Sequence, residues 1–160
     1  MMIVRPVRDA DAAKLAELLN AIIARGGTTA FETPFTAAGL AGSYLTGPTV
    51  HCCFVAESDG QLLGFQTLGT QPFLAADVGD IATFTRVGST QAGVGTALFA
   101  ATTARARELG LAAINATIRA DNAGGLAFYS RMGFIDHEVV PMVPLKDGTP
   151  VDRIRKRFAL

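Results

Sequence analysis

Between residues 81 and 110 the sequence changes its hydrophobic period in mid-course, and that change fixes the kind of fold the chain can adopt. Ile81-Ala82-Thr83-Phe84-Thr85-Arg86-Val87 is rich in β-branched and aromatic residues and reads as a strand. After it come Gly88-Ser89-Thr90-Gln91-Ala92-Gly93-Val94-Gly95-Thr96 and a helix to about Leu109, closed by Gly110. In that helix Val94, Ala97, Leu98, Ala101 and Ala104 recur at three- and four-residue spacing, which predicts one apolar side. A strand that feeds an amphipathic helix through a short glycine turn lays the helix over a sheet, so the expected packing is mixed α/β.

The same segment predicts an anion site. The first four N–H groups of a helix have no internal partner, and the helix dipole adds about half a positive charge at that end. Gly93 and Gly95 lack the side chains that would hold a phosphate away from those donors, although glycines also serve simply to shape a tight turn. A phosphate loop of the P-loop kind needs Gly-Lys-Ser/Thr, and here Gly95 is followed by Thr96-Ala97. A dinucleotide fingerprint meets Leu98 in its third glycine place and finds Ala113, Ile114 and Asn115 where a ribose-binding acid belongs. A nucleotide oxidoreductase is therefore disfavoured.

A second segment narrows the field. Asn122-Ala123-Gly124-Gly125-Leu126-Ala127-Phe128-Tyr129-Ser130-Arg131-Met132-Gly133-Phe134 reads as a helix capped by Asn122 and stopped by Gly133 in the left-handed conformation. Seven residues at about 100° each make roughly two turns, which places Asn122 and Tyr129 along one face.

Together the two segments resemble the GNAT-type N-acetyltransferase superfamily, in which a strand leads into Gln/Arg-x-x-Gly-x-Gly/Ala at a helix start and a later Asn-x6-Tyr-x3-Gly-Phe helix follows the next strand. The second motif matches at Asn122, Tyr129, Gly133 and Phe134; in the first, Thr90 occupies the Gln/Arg place and Gln91 comes one residue late. The resemblance implies one domain over residues 1–160. It further implies a mostly antiparallel central sheet of six to seven strands flanked by about four helices.

The resemblance also implies chemistry: acetyl transfer from acetyl-CoA to a primary amine of a small molecule or peptide N-terminus, by direct attack in a ternary complex and without a metal. An amine with a pKa near 8 to 10.4 is mostly protonated at neutral pH and must lose a proton before it attacks. The oxyanion that follows needs a donor, and so does the departing thiolate. On this reading backbone groups of Phe84, Thr85 and Arg86 line the pantetheine arm. Amides of Gln91, Ala92, Gly93, Val94, Gly95 and Thr96 hold the pyrophosphate, and Asn122 contacts the cofactor arm. Tyr129 faces the sulfur as acid. Asp80 stands where a branch similar to phosphinothricin acetyltransferases carries a Glu, and is the expected base, with His51 and His137 as rivals and a solvated turn acid as the plainer alternative. The loop holding Phe31 and Glu32 loosely resembles that branch's acceptor loop, with Glu32 drawing in a cationic amine or, more plainly, Phe31 and Phe35 plugging the core edge. A non-catalytic acyl-CoA sensor of the same fold is the alternative.

Length and charge agree with one enzyme domain. A chain of 160 residues buries roughly 68–70% of its unfolded surface. Its 14 basic and 14 acidic residues cancel, which argues against a bulk electrostatic grip on nucleic acid. The N-terminus carries no signal-peptide pattern and no apolar run approaches the ~18 residues of a membrane span, so a cytoplasmic location is expected, with a homodimer as a further expectation. Cys52 and Cys53, the two cysteines, point to opposite faces of a strand and are expected to stay reduced. The remaining elements read as a strand over 2–7, a helix from Asp9 or Asp11 to Arg25, a short helix over 37–45, and a hairpin of 51–57 with 61–70. A strand follows over 112–118, and the last pair covers 134–143 and 151–158. Arg153, Arg155, Lys156 and Arg157 are expected to guard an edge strand.

Overall fold

The computed structural model describes residues 1–89 and 91–160. Seven strands form one sheet: β1 (Met2–Pro6), β2 (Val50–Ser58), β3 (Gln61–Gly69), β4 (Val78–Thr85), β5 (Ala113–Arg119), β6 (Ile135–Pro144) and β7 (Pro150–Ala159). Their order is β1-β2-β3-β4-β5-β7-β6, and every neighbouring pair is antiparallel except β4–β5. The parallel pair arises because α3 (Val94–Glu108) carries the chain from the end of β4 back to the start of β5. Helices α1 (Ala12–Arg25) and α2 (Ala37–Leu40) lie on one face, α3 and α4 (Ala123–Met132) on the other. This is the sheet and helix complement expected for the fold.

Side-chain alternation in β4 divides the core. Ala82 and Phe84 join Leu15, Leu19, Phe65 and Val55 beneath α1 and α2, whereas Ile81 joins Phe99, Ile114, Ala116 and Tyr129 on the α3–α4 side. Cys53 belongs to the first core and Cys52 packs against the second, both as free thiols. Burial pushes the Cys52 thiol up to about 11 and that of Cys53 higher still, so neither is a ready nucleophile.

Four local expectations are corrected. Residues 37–45 are not one α-helix: after α2 the chain widens into a π-helical turn over Ala41–Leu45, with Thr46 N donating to Ala41 O at 2.9 Å. Gly47 closes it by lying so near the Gly42 carbonyl that a Cβ there would come within 1.6 Å of Gly42 O. Next, β4 begins at Val78, so Gly79 and Asp80 belong to the ladder and not to a turn; Gly79 is required because a Cβ would meet Leu68 at 2.8 Å. On α3 the buried stripe includes Phe99, Thr102 and Thr103 while Ala104 is exposed. Thr103 hides its hydroxyl by bonding the Phe99 carbonyl at 3.0 Å. Lastly, β7 is internal and β6 is the edge strand, so the terminal cations guard no edge.

Candidate active site

The site is built where β4 and β5 part. Their ladder runs from Val78↔Ala113 to Ile81↔Ala116 and stops, although β4 continues to Thr85 and β5 to Arg119. On its other side β4 stays paired with β3 through Gly64↔Thr85, and the Arg86 amide donates to the Leu63 carbonyl at 2.7 Å. Amides alternate sides along a strand, so Phe84, like Arg86, turns its main chain to β3, while Thr83 and Thr85 turn theirs toward the opening. A half-open strand edge of this kind can pair with an extended, amide-bearing ligand. Of the three residues expected to line the arm, Thr85 presents its main chain there.

The N-terminus of α3 stands beside the loop that leaves β4. Gly93 caps it in the left-handed conformation, φ 79°, with no side-chain cap. Ala97 N makes the first helical bond, to Gly93 O at 3.0 Å. Among the described residues no protein group accepts from the amides of Val94, Gly95 or Thr96, which leaves the donors that an anion requires. Ala92 and Gly93 are exposed, and the Gln91 amide bonds Ser89 Oγ at 3.3 Å. Thr90, the residue in the Gln/Arg place, lies outside the described residues. The two glycines do different work. Around Gly93 a Cβ would meet nothing within 4 Å, so that position needs glycine for its φ, whereas a Cβ on Gly95 would come within 2.7 Å of the Phe128 ring. Gly95 is thus a packing glycine between α3 and α4.

Tyr129 reaches the opening from α4. Asn122 caps that helix by accepting from Gly125 N at 3.0 Å, and Gly133 ends it at φ 103°. The Tyr129 ring is buried between Phe128 and Phe134 in edge-to-face contacts. Its hydroxyl lies 2.9 Å from Thr83 Oγ1, which in turn accepts from Gln66 Nε2 at 2.9 Å. Either hydroxyl can be the donor in the Thr83–Tyr129 pair, and when Thr83 donates the phenol keeps its own proton. Burial raises the phenol well above its usual range, opposed by the Thr83 hydroxyl and amide. The group is a proton donor at any neutral pH.

Asp80 is on the opposite face. It lines a cavity of about 680 Å³ together with Tyr44, Thr49, Thr67, Gln71 and Ala82. Burial raises its carboxyl above the ordinary 3.8, against hydrogen bonds from Asn115 and Gln71 and the fields of Arg155 and Arg157. Asn115 Nδ2 donates to its Oδ1 at 2.9 Å. Neither His51 nor His137 lines this cavity: His51 sits at a bulge in β2, and His137 lines a shallow groove at the β6–β7 end. Phe31 backs the cavity wall by packing on Tyr44, ring centroids 5.2 Å apart, and on Phe84. Glu32 stands outside it, exposed, accepting from the Lys146 amide at 2.8 Å. Asn122, besides its cap, donates to Thr28 O at 3.0 Å and so ties the residue 26–35 loop to α4.

Asp80 and the Tyr129 hydroxyl thus lie on opposite faces of the sheet, to either side of β4. The Acetyltransferase (GNAT) family model matches residues 19–134. The chain belongs to the GNAT acetyltransferase family. That membership carries acetyl transfer from acetyl-CoA as a class of activity and names no acceptor. Among solved structures, the chain is similar to a ribosomal-protein-alanine N-acetyltransferase from Brucella melitensis (TM-score 0.84, 21% identity, 99% of each chain covered). It is also similar to a GCN5-related N-acetyltransferase from Kribbella flavida (TM-score 0.84, 22% identity, 99% and 98% covered). A third is a GNAT superfamily phosphinothricin acetyltransferase from Sinorhizobium meliloti in complex with AcCoA (TM-score 0.83, 19% identity, 99% of this chain and 88% of that one covered). At these identities the likeness is one of fold. No curated protein matches the sequence.

Within this GNAT scaffold, sequence reasoning missed Tyr44, Gln66, Thr83 and Asn115. Tyr44 enters the cavity because the π-helical turn aims it there, and Asp80 together with burial raises its phenol. Gln66 and Asn115 have no exposed surface, and the available signal was an amide set in the middle of a largely apolar strand.

Proposed function

We propose that this protein transfers an acetyl group from acetyl-CoA to a primary amine held in the cavity that Asp80 lines, by direct attack in a ternary complex. The observation that carries the reading is the paired arrangement on either side of one opening: Asp80 beneath α1 and α2, and Tyr129 on the α3–α4 side. When bound, acetyl-CoA supplies an acyl group on a good leaving group. The amides of Val94, Gly95 and Thr96 would hold its diphosphate, and the open edge at Thr85 would pair with its amide-bearing arm. Asp80 accepts the amine's proton from the cavity side. Tyr129 donates to the sulfur from the other side, so the proton leaves one face and is returned on the other. The position of Asp80 and the Phe31 loop support a likeness to the phosphinothricin-type branch, and with it a small amine as acceptor.

Two measurements test this. CoA at about 100 times its dissociation constant adds roughly 2.7 kcal/mol of stability, seen as a melting-temperature rise that NAD does not give; equal shifts with both ligands overturn the cofactor assignment. A thiol-release screen of amino acids, polyamines, aminoglycosides and peptide N-termini with acetyl-CoA identifies the acceptor. No thiol release with any amine, in a protein that binds CoA, favours a sensor over an enzyme.

A further inference from the structure

Asn115 occupies the middle of β5 between Ile114 and Ala116, with no exposed surface. A buried amide in a strand is disfavoured by propensity and costs desolvation unless its hydrogen bonds are met. Here they are met in one lateral line across three strands. Asp80 on β4 is the register partner of Asn115, and Asn115 is the register partner of Arg157 on β7, so all three side chains share the cavity face. Arg157 Nε donates to Asn115 Oδ1 at 2.9 Å, and Asn115 Nδ2 donates to Asp80 Oδ1 at 2.9 Å and to Thr117 Oγ1 at 3.1 Å.

The direction of this line is fixed by chemistry. A guanidinium can only donate, so the amide oxygen must face Arg157 and the amide nitrogen must face the carboxylate. A flipped Asn115 would set a donor against a donor on one side and an acceptor against an acceptor on the other. Arg157, half-buried, therefore holds the Asn115 amide from its oxygen end in the same orientation that the Asp80 carboxylate demands at its nitrogen end.

We propose that Asn115 and Arg157 are positioning residues for Asp80: Arg157 orients the Asn115 amide, and Asn115 anchors Oδ1 of the carboxylate at the cavity wall. The proposal rests on Asp80 being the proton acceptor. The line also counters the burial that drives Asp80 toward its neutral form. The other groups near Asp80 are Arg155 from β7, Gln71 from the β3–β4 connection and Tyr44 from the π-helical turn, with the Tyr129 phenol across the sheet.

The test is a carbon-13 NMR titration of the Asp80 carboxyl in the full chain, which needs no knowledge of the acceptor. Removing the donor with Asn115→Val raises the titration midpoint by about one pH unit, the worth of one hydrogen bond to a charged group. Arg157→Gln raises it as well, because both the orienting contact and the nearby cation are lost, and Arg157→Lys restores most of the wild-type midpoint. With an acceptor from the screen, the acid limb of kcat/KM moves upward in step. An unmoved midpoint in Asn115→Val, or in Arg157→Gln should the first variant not fold, overturns the proposal. The underlying reading fails separately: an Asp80→Asn protein with full turnover shows that Asp80 is not the base, whatever the midpoints do.

Discussion

Tyr129 and Asp80 carry opposite assignments because their surroundings differ less in charge than in what each is bonded to. The phenol is buried against apolar rings with one hydroxyl neighbour, Thr83, and stays protonated. Tyr129→Phe keeps the ring packing and removes the donor, so turnover in the thiol-release assay falls by about 100-fold while CoA affinity, read by calorimetry, changes little. For Asp80 the pH argument has a definite sign. Its folded-state carboxyl titrates above the ordinary 3.8, so the stabilising form is the protonated one, fully present below that value and lost as pH rises through the folded midpoint. At pH 7 the charged carboxylate is a net cost. Asp80→Asn keeps the bond from Asn115 and removes the charge. The variant melts a few degrees higher at pH 7, and the gain shrinks toward pH 4; a lower melting temperature at pH 7 contradicts the assignment. Stability given up at one carboxylate is the usual mark of a group kept for chemistry.

At the scale of elements, the two helices that frame the opening are held by glycines and a cap with separable roles. Gly95→Ala drives a methyl into Phe128, whose ring is already fixed 5.0 Å from Tyr129. The cost is about 1–3 kcal/mol of overpacking, read as a fall in melting temperature with a changed Tyr129 environment. Gly93→Ala meets no atom but must hold φ 79°, which costs about 1–2 kcal/mol and leaves the aromatic cluster unchanged. Asn122→Ala removes the α4 cap, about 1 kcal/mol, and frees the Thr28 carbonyl, so hydrogen exchange accelerates across residues 26–30. Much at this scale was legible in the sequence. Cap, stop and glycine turn are local signals that need only their neighbours. What failed were the positions where a residue's partner is distant: the turn alternative for Asp80 ends once Gly79 is set against Leu68, and the stripe read through Ala104 shifts to Thr102 and Thr103 once α3 meets the sheet.

The whole molecule is a sheet bound along most of its width and parted at one seam, and the seam needs firm ground on both sides. On the β1 side, Arg5 binds Asp11 with both terminal nitrogens at 2.9 Å and Glu57 through Nε at 3.0 Å, tying β1, the turn before α1, and β2. Arg5→Met leaves a largely buried Asp11 without its cation, a loss of ~3 kcal/mol in urea unfolding at pH 7. The Asp11 carboxyl lies below its ordinary 3.8, chiefly through Arg5. Its contribution is therefore present above that value and lost as pH falls through the folded midpoint, and the gap between wild type and variant narrows only in strong acid.

By itself the sequence determined most of the elements, their order, the glycine loop at the start of α3 and the tyrosine on α4, because propensity, periodicity and capping act within a few residues along the chain. Tertiary structure decided which side of the sheet each group faces, where β4 and β5 separate, and which polar residues are buried together. Those outcomes depend on the pairing of strands far apart in sequence, and one step of register would have sent Asp80, Asn115 and Arg157 to different faces.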